Sequence, residues 1–92
     1  MTQPTITIYT ASYCPYCTRA KMLLETRGLT YHEIDVTNNT ALREELVKKS
    51  EGRRTVPQIF IGEIPIGGFD DLAAKSQSGE LDQLLKTIPI AP

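Results

Sequence analysis

The 92-residue chain has a single histidine and only two cysteines. A zinc site of the Cys2His2 type needs two of each, so it is excluded. Two cysteines do not make a disulfide framework either. No apolar stretch approaches the length needed to span a membrane. Ten basic and eleven acidic residues leave a net charge of −1, with no excess that would point to nucleic acid or an anionic membrane surface. There is no internal repeat, low-complexity tract or linker, and the length suits one small domain covering residues 1–92. Met1-Thr2-Gln3-Pro4 has neither the basic segment nor the apolar run of a signal peptide, so a reducing, cytoplasmic compartment is expected. In that compartment a lone pair of cysteines is more often catalytic or metal-binding than structural.

The pair that is present stands as Cys14-Pro15-Tyr16-Cys17. It follows Ile6-Thr7-Ile8-Tyr9, whose β-branched alternation reads as a strand. It opens a segment, Pro15 to Arg27, in which Ala20, Leu23 and Leu24 fall on one helical face and Gly28 supplies a stop. Cys14 therefore sits at a helix start, where free backbone N–H groups and the helix dipole favour an anion. The thiolate is the form that attacks disulfides. Cys17, one turn on, is close enough to close a ring with it. The residues read as a thiol–disulfide exchange pair, with Cys14 the exposed nucleophile and Cys17 the inward, resolving thiol.

Thr30 to Val36 reads as a second strand. Asn38, Asn39 and Thr40 offer caps for a helix to about Ser50. Gln58–Ile61 and Ile64–Ile66 read as short strands joined through Gly62-Glu63, a pair suited to a type II′ turn. A last helix opens at Asp70-Asp71 and runs, with a break at Gly79, to about Lys86; the tail from Thr87 to Pro92 is expected to fray. The order βαβα followed by ββα predicts an α/β fold. Its first two strands are parallel through a right-handed crossover, and a four-stranded mixed sheet is flanked by helices.

Two further motifs carry chemistry. In Thr55-Val56-Pro57 the bond before proline is a candidate cis peptide. The Val56 backbone there can pair with an extended substrate cysteine as a short strand addition. In Gly67-Gly68-Phe69-Asp70-Asp71 one aspartate serves as a helix cap. The second acid, with the helix N–H groups, suits an amino-acid zwitterion head.

CPYC, TVPQIFI and GGFDDL in this order and spacing resemble the dithiol glutaredoxins of bacteria, over nearly the whole chain from Ile6 to Lys86. The resemblance implies a thioredoxin-like fold and a glutathione-dependent oxidoreductase that reduces protein disulfides and glutathione mixed disulfides. It implies Cys14 as the thiol that takes up glutathione and Cys17 as the resolving one. Tyr16, Thr55, Val56, Pro57, Gly68, Phe69, Asp70 and Asp71 would line a glutathione groove, the last three at its γ-glutamyl end. Many relatives carry a lysine three residues before the first cysteine; here that place is Ala11, and Arg43, Arg53 or Arg54 stands in as the contact for the glycyl carboxylate. Partners would be glutathione and disulfide-containing or glutathionylated proteins; a monomer is expected, with no metal, nucleic acid or membrane.

Two rivals differ from this reading. A thioredoxin-type protein recharged by a flavoenzyme is disfavoured by the absence of tryptophan and by the Pro15-Tyr16 pair between the cysteines. A non-enzymatic carrier would share an iron–sulfur cluster between two copies through Cys14 and glutathione; Pro15, which stiffens the loop, argues against it.

Overall fold

The computed structural model describes residues 3–88. Residues 1–2 of the N-terminal segment and residues 89–92 of the tail expected to fray lie outside that range. Within it the order is β1 (Ile6–Thr10), α1 (Pro15–Thr26), β2 (His32–Asp35), α2 (Thr40–Lys49), β3 (Gln58–Ile61), β4 (Ile64–Gly67), α3 (Phe69–Ser78) and α4 (Glu80–Thr87).

The strands form one sheet in the order β2-β1-β3-β4. β1 and β2 are parallel, as a strand–helix–strand unit requires, while β3 runs antiparallel to both β1 and β4. Gly62 carries the turn between β3 and β4 at φ 59°, while Glu63 keeps a negative φ, the pattern of a type II′ turn.

Alternation along β1 and β3 sends side chains to two separate cores. Ile6, Ile8, Ile59 and Ile61 point to one face, packing with Ala20 and Leu24 of α1, Leu72 of α3 and Leu81 of α4. Tyr9 and Phe60 point to the other, where Leu46 of α2 and Val36 cover them. The sheet is thus sandwiched between three helices and one. Helix α1 ends in a Schellman arrangement: the N–H of Leu29 bonds the Leu24 carbonyl at 2.9 Å and that of Gly28, at φ 73°, bonds Glu25 at 2.9 Å. Asn39 caps α2 through its side chain, accepting from the Leu42 N–H at 3.0 Å.

Two boundaries differ from expectation. β2 was expected over Thr30–Val36 but spans only His32–Asp35. The Gln3 side chain takes the place of a strand partner at Thr30, donating to its carbonyl at 3.0 Å and accepting from its N–H at 3.2 Å. The break expected at Gly79 is present, dividing the last helical stretch into two helices where that residue adopts φ 89°. The tail stays ordered further than its prolines suggest. Thr87 closes α4, and Ile88 is buried in the core.

Candidate active site

Cys14 is the N-cap of α1, its backbone extended at φ −112° and ψ 102°. Its sulfur accepts the Cys17 N–H at 3.0 Å, filling with sulfur the place that a serine or aspartate oxygen usually takes. Pro15 occupies the first helical position, where its missing N–H costs nothing. The loop that presents Cys14 is tethered to the end of β2, the Ser12 N–H donating to Thr37 Oγ1 at 2.9 Å. Cys14 is half-buried, Cys17 is buried at 2% exposure, and both thiols are free.

Burial first, and then the bond to Cys14, push the Cys17 thiol up to about 12, against a smaller opposing pull from the Ala11 N–H. The two cysteines are therefore unequal by construction. One sits in the mouth of the helix, while the other is buried and held as a thiol.

The Val56–Pro57 bond is cis, as expected. Cys14 Sγ lies 3.6 Å from the Val56 carbonyl, which accepts from the thiol. Val56 also lines a groove of about 280 Å³. It is lined by Tyr16, Thr55, Val56, Pro57, Gly68, Phe69, Asp70 and Asp71, all eight of the expected groove residues, with Arg53. Tyr16 and Phe69 face each other with ring centroids 6.0 Å apart, and the Arg19 guanidinium lies 5.1 Å from the Tyr16 ring.

The two aspartates divide their work. Asp71 accepts the Gly68 N–H at 3.0 Å, capping α3, and faces Arg53 at 3.4 Å. Asp70 is exposed in the first turn, beside N–H groups that have no partner within the helix. Gly67, at φ 115°, leaves the space that the Asp71 carboxylate and the Arg53 guanidinium fill; a Cβ there would collide with both.

The other arginines stand elsewhere. Arg43 donates to the Tyr13 hydroxyl at 2.8 Å, next to Cys14, and with Arg54 it lines an adjoining cleft of about 510 Å³ that also holds Lys48. Tyr13 is exposed, Tyr9 is buried with its hydroxyl on Glu45 at 2.9 Å, and His32 is exposed on the edge strand. Ala11 is 5% exposed.

Two supports of the site were missed from the sequence. Ser50, buried at the end of α2, donates to the Leu46 carbonyl at 2.7 Å and accepts the Arg53 N–H at 3.1 Å, fixing the loop that delivers Arg53. Gln58 is buried behind the groove and donates to Thr55 Oγ1 at 3.2 Å. A hydroxyl at a helix end beside Glu51-Gly52 was the available signal for the first; the second had none. Among the described residues no group of three or more metal-ligating side chains comes together, and no helix is long and apolar enough to cross a membrane.

A parallel–antiparallel sheet with a Cys-x-x-Cys pair at a helix start, facing a cis proline, defines a thiol–disulfide oxidoreductase of the thioredoxin-like fold. Comparison with known proteins narrows this. The Glutaredoxin family model matches residues 6–66, and the chain belongs to that family. It is 53% identical over 81 residues to glutaredoxin 3 of Escherichia coli K12, covering 88% of this chain and 96% of that one. The solution structure of a Brucella melitensis glutaredoxin superposes with a TM-score of 0.80 at 47% identity, covering 95% and 94% of the two chains. A buckwheat glutaredoxin, crystallised as a glutathione complex, superposes at 0.78 with 33% identity, over 91% of this chain and 77% of that one. The chain is a glutathione-linked thiol oxidoreductase that works through a cysteine pair.

Proposed function

We propose that the protein reduces protein disulfides by a dithiol route and glutathione mixed disulfides by a monothiol route, with glutathione as co-substrate. The observation that carries this reading is the Cys14 sulfur, held by the Cys17 N–H at 3.0 Å and 3.6 Å from the Val56 carbonyl at the head of the groove.

In the monothiol route the Cys14 thiolate attacks the glutathione sulfur of a glutathionylated protein. The protein thiolate leaves and takes a proton. A second glutathione attacks the glutathionyl sulfur on Cys14, giving oxidised glutathione and restoring the thiolate. In the dithiol route Cys14 attacks a protein disulfide, Cys17 attacks the resulting mixed disulfide, and two glutathiones reduce the Cys14–Cys17 bond.

Glutathione lies along the groove. Its cysteine backbone pairs with Val56 beside Thr55 and Pro57, and Tyr16 closes one side. Its γ-glutamyl head takes the Phe69 N–H at the start of α3, with Asp70 and Asp71 receiving the ammonium. Its glycyl carboxylate goes to the cationic side, where Arg53 lines the wall and Arg43 and Arg54 border the adjoining cleft. The protein works as a monomer, without metal, in a reducing, cytoplasmic compartment that keeps both thiols free.

The test is turnover of a glutathionylated substrate and of a protein disulfide, each driven by glutathione, glutathione reductase and NADPH. Cys14→Ser abolishes both activities. Cys17→Ser abolishes disulfide reduction and spares deglutathionylation; loss of both would refute the division of labour. Turnover supported by thioredoxin reductase instead would refute the glutathione reading.

A further inference from the structure

The cysteine that reacts second is the one the fold makes hardest to ionise. Cys17 is 2% exposed, and burial pushes its thiol up to about 12. Close to it stands a cluster that the exchange chemistry above does not use. Lys21 is four residues on from Cys17 and shares its face of α1. Helical side chains lean back toward the turn N-terminal to their own Cα, which for Lys21 is the turn that carries Cys17. Its ammonium is not free to wander. Lys21 Nζ donates to Glu33 Oε2 at 3.0 Å, and Thr10 Oγ1 donates to the same oxygen at 2.7 Å. Thr10 is itself 1% exposed, and the backbone of the next residue, Ala11, opposes the rise of the Cys17 thiol. The clamp and the thiol are thus joined through adjacent residues of one chain segment.

We propose that Lys21, held by Glu33 and Thr10, is a positioning residue for the resolving step, its ammonium favouring the Cys17 thiolate as it forms against the Cys14 mixed disulfide. The proposal rests on the reading of Cys17 as the resolving thiol. In that step Cys17 gives its proton to solvent and its thiolate attacks the Cys14 sulfur. The bond from Cys14 to the substrate sulfur breaks and the Cys14–Cys17 bond forms. The departing substrate thiolate takes a proton, so two electrons pass from the cysteine pair to the substrate and no further oxidant or reductant enters.

The charged groups that bear on Cys17 are Cys14 and Lys21, with Glu33 holding Lys21 and Asp35 of β2 also within its field. Once Cys14 is capped as a mixed disulfide it carries no charge, and its part in holding the Cys17 proton goes. Burial then opposes ionisation, while the Ala11 N–H and Lys21 favour it.

The experiment loads Cys14 with 5-thio-2-nitrobenzoate and follows its release by Cys17 through the absorbance of the free aryl thiol, across pH. Each unit by which the Cys17 thiol rises removes about tenfold of the thiolate and returns about threefold in nucleophilicity, a net loss of about threefold. Lys21→Met slows release and moves the rate profile to higher pH. Lys21→Gln, a second neutral variant, does the same, and Lys21→Arg restores the rate. Deglutathionylation, measured in the Cys17→Ser background, is unchanged by Lys21→Met. A folded Lys21→Met or Lys21→Gln protein with the native release profile overturns the proposal, and so does equal slowing of both routes. Release that persists in Cys17→Ser overturns the parent reading instead.

Discussion

The main-chain N–H of Cys17 donates to the sulfur of Cys14 at 3.0 Å, so the second cysteine steadies the first through its backbone before its own sulfur takes part. Stability and activity at position 14 therefore separate. Serine also caps a helix start, so Cys14→Ser keeps reduced-state stability near that of the parent while removing all activity. Cys14→Ala loses the cap and about 0.5–2 kcal/mol. Urea unfolding of the two reduced variants, beside their turnover, checks the separation.

Stability falls on the alkaline side. The Cys17 thiol is raised from 9.0 to about 12 by burial and its bond to Cys14, and the Tyr31 hydroxyl from 10.0 to about 12, chiefly by its bond to Glu25. Burial also raises Tyr9. Each keeps its proton in the folded state at pH values where the unfolded chain has lost it. Their stabilisation is complete below the unfolded values and is lost as pH climbs through the folded ones. The urea midpoint should drop between pH 9 and about pH 12, and less steeply in Cys17→Ser.

Gly67→Ala meets two obstacles at once. The backbone there is at φ 115°, and a methyl group would strike the Asp71 carboxylate that caps α3. The expected cost is about 1–3 kcal/mol, read as a lower denaturant midpoint. Because Asp71 and Arg53 are displaced together, KM for a glutathione mixed disulfide should rise more than kcat falls.

Ser50→Ala leaves the N–H of Arg53 without its partner inside the fold, since Ser50 Oγ is what receives it at 3.1 Å. The bond is only partly buried, so its loss costs about 0.5–1.5 kcal/mol. The loop carrying Arg53 should also loosen, visible as faster amide exchange over residues 51–55. Unchanged exchange would mean that the hydroxyl does not hold the loop.

Much of this was legible in the sequence because its signals are local. The Cys14-x-x-Cys17 spacing, the proline at position 57 and the glycines before Asp70 each announce a backbone conformation within a few residues. The α/β order followed from periodicity together with caps, glycine stops and the Gly62-Glu63 turn. What escaped depends on contacts far apart in the chain. Gln3 ends β2 early by bonding Thr30 twenty-seven residues away, and Glu33 meets Lys21 and Thr10 from a different strand. Asp70 and Asp71 look alike in sequence. Only the turn at Gly68 decides that Asp71 caps the helix and Asp70 stays exposed.

Tyr9 of β1 lies opposite Gln58 of β3 at one end of the two central strands. The cysteine loop leaves the first strand there, and Pro57 enters the second. The gap between the Cys14 sulfur and the Val56 backbone is therefore set like the jaws of a calliper clamped at its pivot. Substrates of different bulk must adapt to a fixed aperture, and selectivity among them falls to the side chains around the rim.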